Sequence, residues 1–188
     1  LLILVTATVV ATINPRFLSP INLSNTANLV GLYGLFSLGQ GLVIITGGID
    51  LSVGSIFALL GVIFVDLLVT YHLPWPVAIL VVLVAGLGLG LIHAVLVTRL
   101  KLQPFVVTLC GLLVYRGIAR WYTDDATAGF EFGQSFPWLE WLTVGRSYGV
   151  PHSFVVFVLA ALVLGVVLHL SVFGRYLFAV GKNEEAAR

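Results

Sequence analysis

The chain has 188 residues, of which 60% are hydrophobic and 9% charged, against roughly 45–50% apolar and about 25% charged in soluble domains. With a mean hydropathy of +1.11 and a net charge of +1, the composition excludes a water-soluble globule. Nothing in it suggests a nucleic-acid partner, whose phosphates would call for a basic patch, and none is expected.

The fold class expected is all-α, a polytopic transmembrane helix bundle, because β-barrel strands would alternate apolar and polar residues and these runs do not. The chain opens at Leu1 inside an apolar stretch and contains no Met. Leu1–Ile13 lacks a basic region before it and a small-residue cleavage site after it, so it reads as the rest of a truncated first span rather than a signal peptide. Crossing a hydrocarbon core takes about 20 apolar residues. Leu29–Thr46, Leu51–Thr70, Val77–Thr98, Phe105–Tyr122 and Phe154–Phe173 meet that rule, giving, with the truncated first run, about six spans in one transmembrane domain over residues 1–188. Prolines at Asn14-Pro15, Pro74-Trp75-Pro76, Gln103-Pro104 and Val150-Pro151 mark the breaks.

Basic residues favour cytoplasmic loops, which places Arg99 and Lys101, and then Arg175, Lys182 and Arg188, on the cytoplasmic side. Asn14–Asn28, Tyr71–Pro76 and an excursion over 122–150 are then outside, with Arg16 and Arg146 as exceptions. The excursion carries Asp124, Asp125, Glu131 and Glu140, and its Phe130, Phe132, Phe136, Trp138 and Trp141 suit the membrane–water interface. Gly86, Gly90 and Ala94, and likewise Gly54 and Ala58, have the small-residue spacing that lets helices approach closely in lipid. The lone Cys110 permits no internal disulfide or cysteine cluster and reads as a small packing residue. His93 and His169 read as packing residues near helix ends, with His72 and His152 in outer loops. No two histidines stand four apart as a helical zinc site needs, so no metal ligands are expected. Arg116 and Arg120 lie within the fifth span and should snorkel or find a partner such as Asp66 or a backbone carbonyl.

Two segments carry more. In Ile45-Thr46-Gly47-Gly48-Ile49-Asp50-Leu51-Ser52-Val53-Gly54-Ser55, two glycines free the backbone from helical geometry, and Asp50 and Ser52 can cap the following helix. One reading is a tight turn with an N-cap. The other is a broken helix in a polar cavity, since non-helical backbone at membrane depth must be buried in protein or line water, and an ionisable residue there is a functional candidate. Gly47, Gly48, Asp50 and Ser52 are the translocation or gating candidates. In the second segment, Gly174–Arg188, Asn183 can cap a short helix with Glu184 and Glu185 in its first turn. Such a helix across the membrane face is a solvated loop or a handle for another subunit.

Thr46–Ser55, the stretch from Thr108-Leu109 through Tyr115-Arg116-Gly117-Ile118-Ala119-Arg120, and Gly174–Arg188 resemble, in the same order and at similar spacing, the permease subunits of ribose-type simple-sugar ABC importers. The departures are Cys110, where a small residue is expected, and the aromatic richness of the external loop. The resemblance implies the transmembrane pore subunit of an ATP-driven, binding-protein-dependent importer of a monosaccharide in a bacterial plasma (inner) membrane. It implies that Asn183, Glu184, Glu185, Ala186, Ala187 and Arg188 begin a cytoplasmic coupling segment against an ABC ATPase subunit. It also implies a periplasmic or extracellular sugar-binding protein, a second permease copy or paralogue, surrounding lipid, and further spans beyond Arg188. No cofactor is expected in this chain, with ATP and Mg bound by the partner ATPase. Gly181-Lys182 lacks the preceding glycine and the following Ser or Thr of a P-loop. A secondary transporter of a small polar solute is the alternative, since it too would place a broken helix and an acid at midplane. An enzyme is not expected, because neither an H-E-x-x-H run nor a G-x-S-x-G elbow occurs.

Overall fold

The computed structural model describes residues 1–130 and 133–183. They form α1 (Leu2–Ile13), a 3-10 turn (Pro15–Leu18), α2 (Pro20–Ile45), α3 (Val53–Val69), α4 (Trp75–Thr98), α5 (Pro104–Tyr122), α6 (Pro137–Thr143), a two-stranded hairpin β1 (Arg146–Ser147) and β2 (Val150–Pro151), α7 (His152–Leu170) and α8 (Val172–Lys182). α2, α4, α5 and α7 are long and apolar enough to cross a membrane, and α1 and α3 are shorter apolar helices. The chain is thus an all-α multi-pass membrane protein. Leu87, Leu113 and Leu162 are among the many large apolar side chains left more than 60% exposed, as lipid-facing positions require.

The helix starts follow local chemistry. Asn14–Asn28, expected as an outer loop, is helical from Pro20 on. Ser19 Oγ accepts from the Asn22 amide at 3.3 Å and a proline follows it, which is a strong start signal. The sixth span ends earlier than the Phe154–Phe173 run, because Ser171 takes extended backbone (φ −106°, ψ 162°). Its hydroxyl then accepts from the Gly174 amide at 3.2 Å and starts α8. Asn183 closes α8 through its amide to the Ala179 carbonyl at 3.0 Å. The helix expected over Glu184, Glu185, Ala186, Ala187 and Arg188 lies outside the described residues.

Two compact units form, one from Leu1–Gly39 with Phe136–Arg175, the other from the described residues of Gln40–Ser135 and of the chain from Tyr176 on. In the first, α2 meets the start of α7 at Gly31, where a Cβ would stand 2.5 Å from the backbone of Ser153 and Phe154. Ser153 Oγ donates to Asn28 Oδ1 at 2.8 Å, and Arg146 donates to Asn25 Oδ1 at 2.8 Å. The hairpin turns through Tyr148 and Gly149, both at positive φ (53° and 81°), the requirement of a two-residue turn that matches strand twist. His152 is buried. Its Nδ1 lies 2.5 Å from the Trp141 carbonyl and its Nε2 2.8 Å from Ser147 Oγ. That corrects its reading as a loop histidine. Trp138 and Trp141 on α6 remain exposed.

In the second unit α3 packs on α4 and α5, with Leu59, Tyr115 and Ala119 buried and Ile56, Ile63 and Leu89 against them. The small-residue spacing marks a close approach at one of its three glycines. A Cβ at Gly54 or Gly90 would meet nothing within 4 Å, and only Gly86, 3.1 Å from Leu60, is tight. Cys110 is exposed on α5, not packed inside. Arg120 pairs with Asp125, whose carboxyl is held below the usual range by the hydrogen bond from that guanidinium. Asp66 instead accepts from the Tyr122 hydroxyl, so it is not the arginine partner expected, and Arg116 is exposed.

Candidate functional site

The segment between α2 and α3 lies within the second unit. Its glycines end α2: the Gly48 amide donates to the Val43 carbonyl at 3.0 Å and the Gly47 amide to the Ile44 carbonyl at 2.9 Å. Gly47 sits at φ +78°. This is the Schellman arrangement, which needs a left-handed residue at the Gly47 position and so selects glycine there. A Cβ on Gly48 would stand 3.0 Å from Val43 Cγ1, so that position is restricted as well.

Beyond the glycines the backbone is not helical until Val53. The 17 residues of α3 rise only about 25 Å at about 1.5 Å each, short of a hydrocarbon core about 30 Å thick. For α3 to cross, part of the Thr46–Ser52 stretch must lie at membrane depth, where its free backbone groups require partners. They have them. Thr108 Oγ1 on α5 lies 3.2 Å from the Ile49 carbonyl, and Gln40 Nε2 on α2 donates to the Asp50 carbonyl at 3.2 Å.

The Asp50 side chain does something other than cap α3. Its Oδ1 accepts from the Ser52 amide at 2.8 Å and from the Ser52 hydroxyl at 2.6 Å, closing an Asx turn before the helix begins. Ser52 stands at the N-cap position yet makes no side-chain cap bond, its own backbone being already helical (φ −82°, ψ −16°); its hydroxyl proton goes to Asp50. The expectation that Asp50 and Ser52 cap the helix is therefore corrected in detail. The carboxyl orders the approach to α3.

Ser52 is fully buried, and the polar contacts continue through it. Its Oγ lies 3.5 Å from His93 Nδ1 on α4, and His93 Nε2 lies 2.9 Å from the Tyr115 hydroxyl on α5. The His93 and Tyr115 rings are 5.6 Å apart between centroids. His93, expected as a packing residue, is thus a link between elements. Gly111 leaves room for it, since a Cβ there would stand 2.8 Å from Nε2. Thr108, Gly111 and Tyr115 are all buried and lie at helical spacing on one face of α5. Of the candidates, Asp50 and Ser52 come together in this cluster, and Gly47 and Gly48 serve the helix end beside it. Asn183 follows α8, whose Gly181 lies against the end of α2, where a Cβ would meet the Ile45 carbonyl and stand 3.3 Å from Thr46.

A different hollow of about 270 Å³ lies between α3, the end of α5 and residues 123–129, lined by Asp66, Thr70, Tyr122 and Thr127 among others.

The family model described as the branched-chain amino acid transport system / permease component matches residues 22–188. The chain is 37% identical over 182 residues to the ribose import permease protein of Bacillus subtilis (strain 168), covering 95% of this chain and 55% of that one. It is 33% identical over 186 residues to the ribose import permease protein of Escherichia coli (strain K12), covering 99% and 58%. The fructose import permease protein of Bifidobacterium longum (strain NCC 2705) is 34% identical over 175 residues, covering 88% and 49%. The chain spans about half the length of the curated relatives it matches. No solved structure matches it.

Proposed function

The chain belongs to the branched-chain amino acid transport system / permease component family and resembles its ribose-type members, and from that premise we propose that it is the pore subunit of an ATP-driven, binding-protein-dependent importer of a monosaccharide. The observation that carries the reading is the similarity to sugar import permeases over nearly the whole chain. The break between α2 and α3 supports it. A polar, non-helical stretch held by side chains from neighbouring helices is the arrangement through which a hydroxyl-rich solute can pass lipid.

In this proposal the protein sits in a bacterial plasma membrane as one of two permease copies or paralogues, and it performs no chemistry. An ABC ATPase subunit binds ATP and Mg and engages Asn183–Arg188. A sugar-binding protein docks outside and selects the sugar. Gly47 and Gly48 let the chain leave α2, and Asp50 with Ser52 forms the polar element of the path. Charge reversal at Glu184 and Glu185 tests the partner assignment. In the full-length transporter it should leave the membrane part assembled but abolish stimulation of ATP hydrolysis by loaded binding protein. Stimulation retained in that variant would remove these residues from the coupling role.

A further inference from the structure

We propose that His93 and Tyr115 are positioning residues, forming a one-way hydrogen-bond latch that ties the Asp50 break to α5. The inference rests on the proposed transport role of that break. Its direction follows from donor and acceptor counts. An ionised carboxylate only accepts, so the single proton of Ser52 goes to Asp50 Oδ1 at 2.6 Å. Ser52 Oγ then has only lone pairs to offer His93, and the tautomer that uses this contact, 3.5 Å and the longest link, carries the imidazole proton on the facing Nδ1. In the neutral ring that leaves Nε2 as acceptor, and Tyr115 donates to it at 2.9 Å. Each link fixes the next, so the order runs from the Tyr115 hydroxyl to His93, Ser52 and Asp50.

The same face of α5 meets the break a second time at Thr108, whose single hydroxyl proton is shared between the Ile49 carbonyl at 3.2 Å and the Pro104 and Phe105 carbonyls of its own helix at 3.0 and 3.3 Å. Gly111 between them keeps the imidazole site open. Two attachments about two turns apart mean that α5 cannot slide past the break while both are made. A change in the path at Asp50 therefore requires the latch to open or α5 to move with it. No single helix contains this device; it takes the segment before α3 together with α4 and α5.

The test uses the full-length transporter reconstituted with its ATPase and binding protein. Tyr115→Phe removes the first donor and keeps the ring. It should lower the maximal uptake rate at least about fivefold, the lower end of measured couplings between sites, with half-saturation by loaded binding protein and complex assembly unchanged. In an Asp50→Asn background the further loss should be smaller than in wild type, because both substitutions break one chain; independent structural roles would multiply. Nitrogen NMR of His93 should show the proton on Nδ1 in wild type and a mixture of tautomers in Tyr115→Phe. Gly111→Ala, which crowds Nε2, tests the same arm if Tyr115→Phe does not assemble. Wild-type uptake in the variants, multiplicative losses, or a proton on Nε2 would each overturn the latch. Absence of monosaccharide uptake by the wild-type complex would instead refute the transport reading, and the NMR result would still decide the latch.

Discussion

Replacing Asp50 by Asn and by Ala separates what its shape does from what its charge does. Oδ1 accepts two hydrogen bonds, from the Ser52 amide and hydroxyl at 2.8 and 2.6 Å. Asn keeps an acceptor at the same place, so the Asx turn survives with neutral bonds in place of charge-assisted ones, and bonds to charged groups are worth about twice neutral ones. With neutral bonds near 1 kcal/mol, the loss is roughly 1–2 kcal/mol over both, reduced because Asp50 is only half-buried. Ala leaves a fully buried Ser52 hydroxyl and its amide without acceptors, which costs roughly 2–4 kcal/mol in total. At about 2–4 °C per kcal/mol for a chain of this size, thermal unfolding of the purified protein should distinguish the two variants. Uptake should not follow that order. If the charge shapes the path, Asp50→Asn should lose at least about tenfold in uptake, at least about 1.4 kcal/mol of barrier, while its unfolding temperature falls by only about 2–8 °C. Wild-type uptake in Asp50→Asn would reduce the segment to a turn joining two helices.

Other consequences are equally direct. In a Cys110→Ser background, a cysteine at Gly133 should react with an impermeant thiol reagent added from outside and one at Lys182 should not; the reverse pattern inverts the orientation. Gly31→Ala should lower the unfolding temperature, because the new methyl meets the Ser153 and Phe154 backbone at 2.5 Å and overpacking costs about 1–3 kcal/mol. Gly39→Ala, with nothing within 4 Å, should be neutral or stabilising by up to about 1 kcal/mol, and equal losses in both would contradict the close helix contact.

The spans were legible because length and apolarity are local, and because prolines sit at their starts: α4 and α5 begin within two residues of the expected bounds. The Gly47–Ser52 break was legible for the same reason, since its glycines and acid interrupt an apolar run. What escaped was long-range. His93 is a lone histidine in an apolar helix, and its partners come from 41 and 22 positions away; no period or motif joins them. The glycine spacing at Gly86 and Gly90 is a local pattern, whereas the tight contact at Gly31 depends on where α7 begins. Ser19 was a signal available and passed over: a serine before a proline starts α2 nine residues ahead of the apolar run at Leu29. The Tyr148-Gly149 turn carries no strong hairpin pair, and its positive φ values belong to the two-residue turn itself.

The central claim is ATP-driven monosaccharide import through this subunit, and vesicle uptake tests it most directly. The full-length protein is reconstituted with its ATPase, ATP is enclosed on the side of the ATPase, and radiolabelled ribose or fructose is supplied with the binding protein outside. The account predicts accumulation above the external concentration that requires both ATP and binding protein and is abolished when either is omitted. Accumulation that proceeds without ATP, driven by an ion gradient alone, would contradict it.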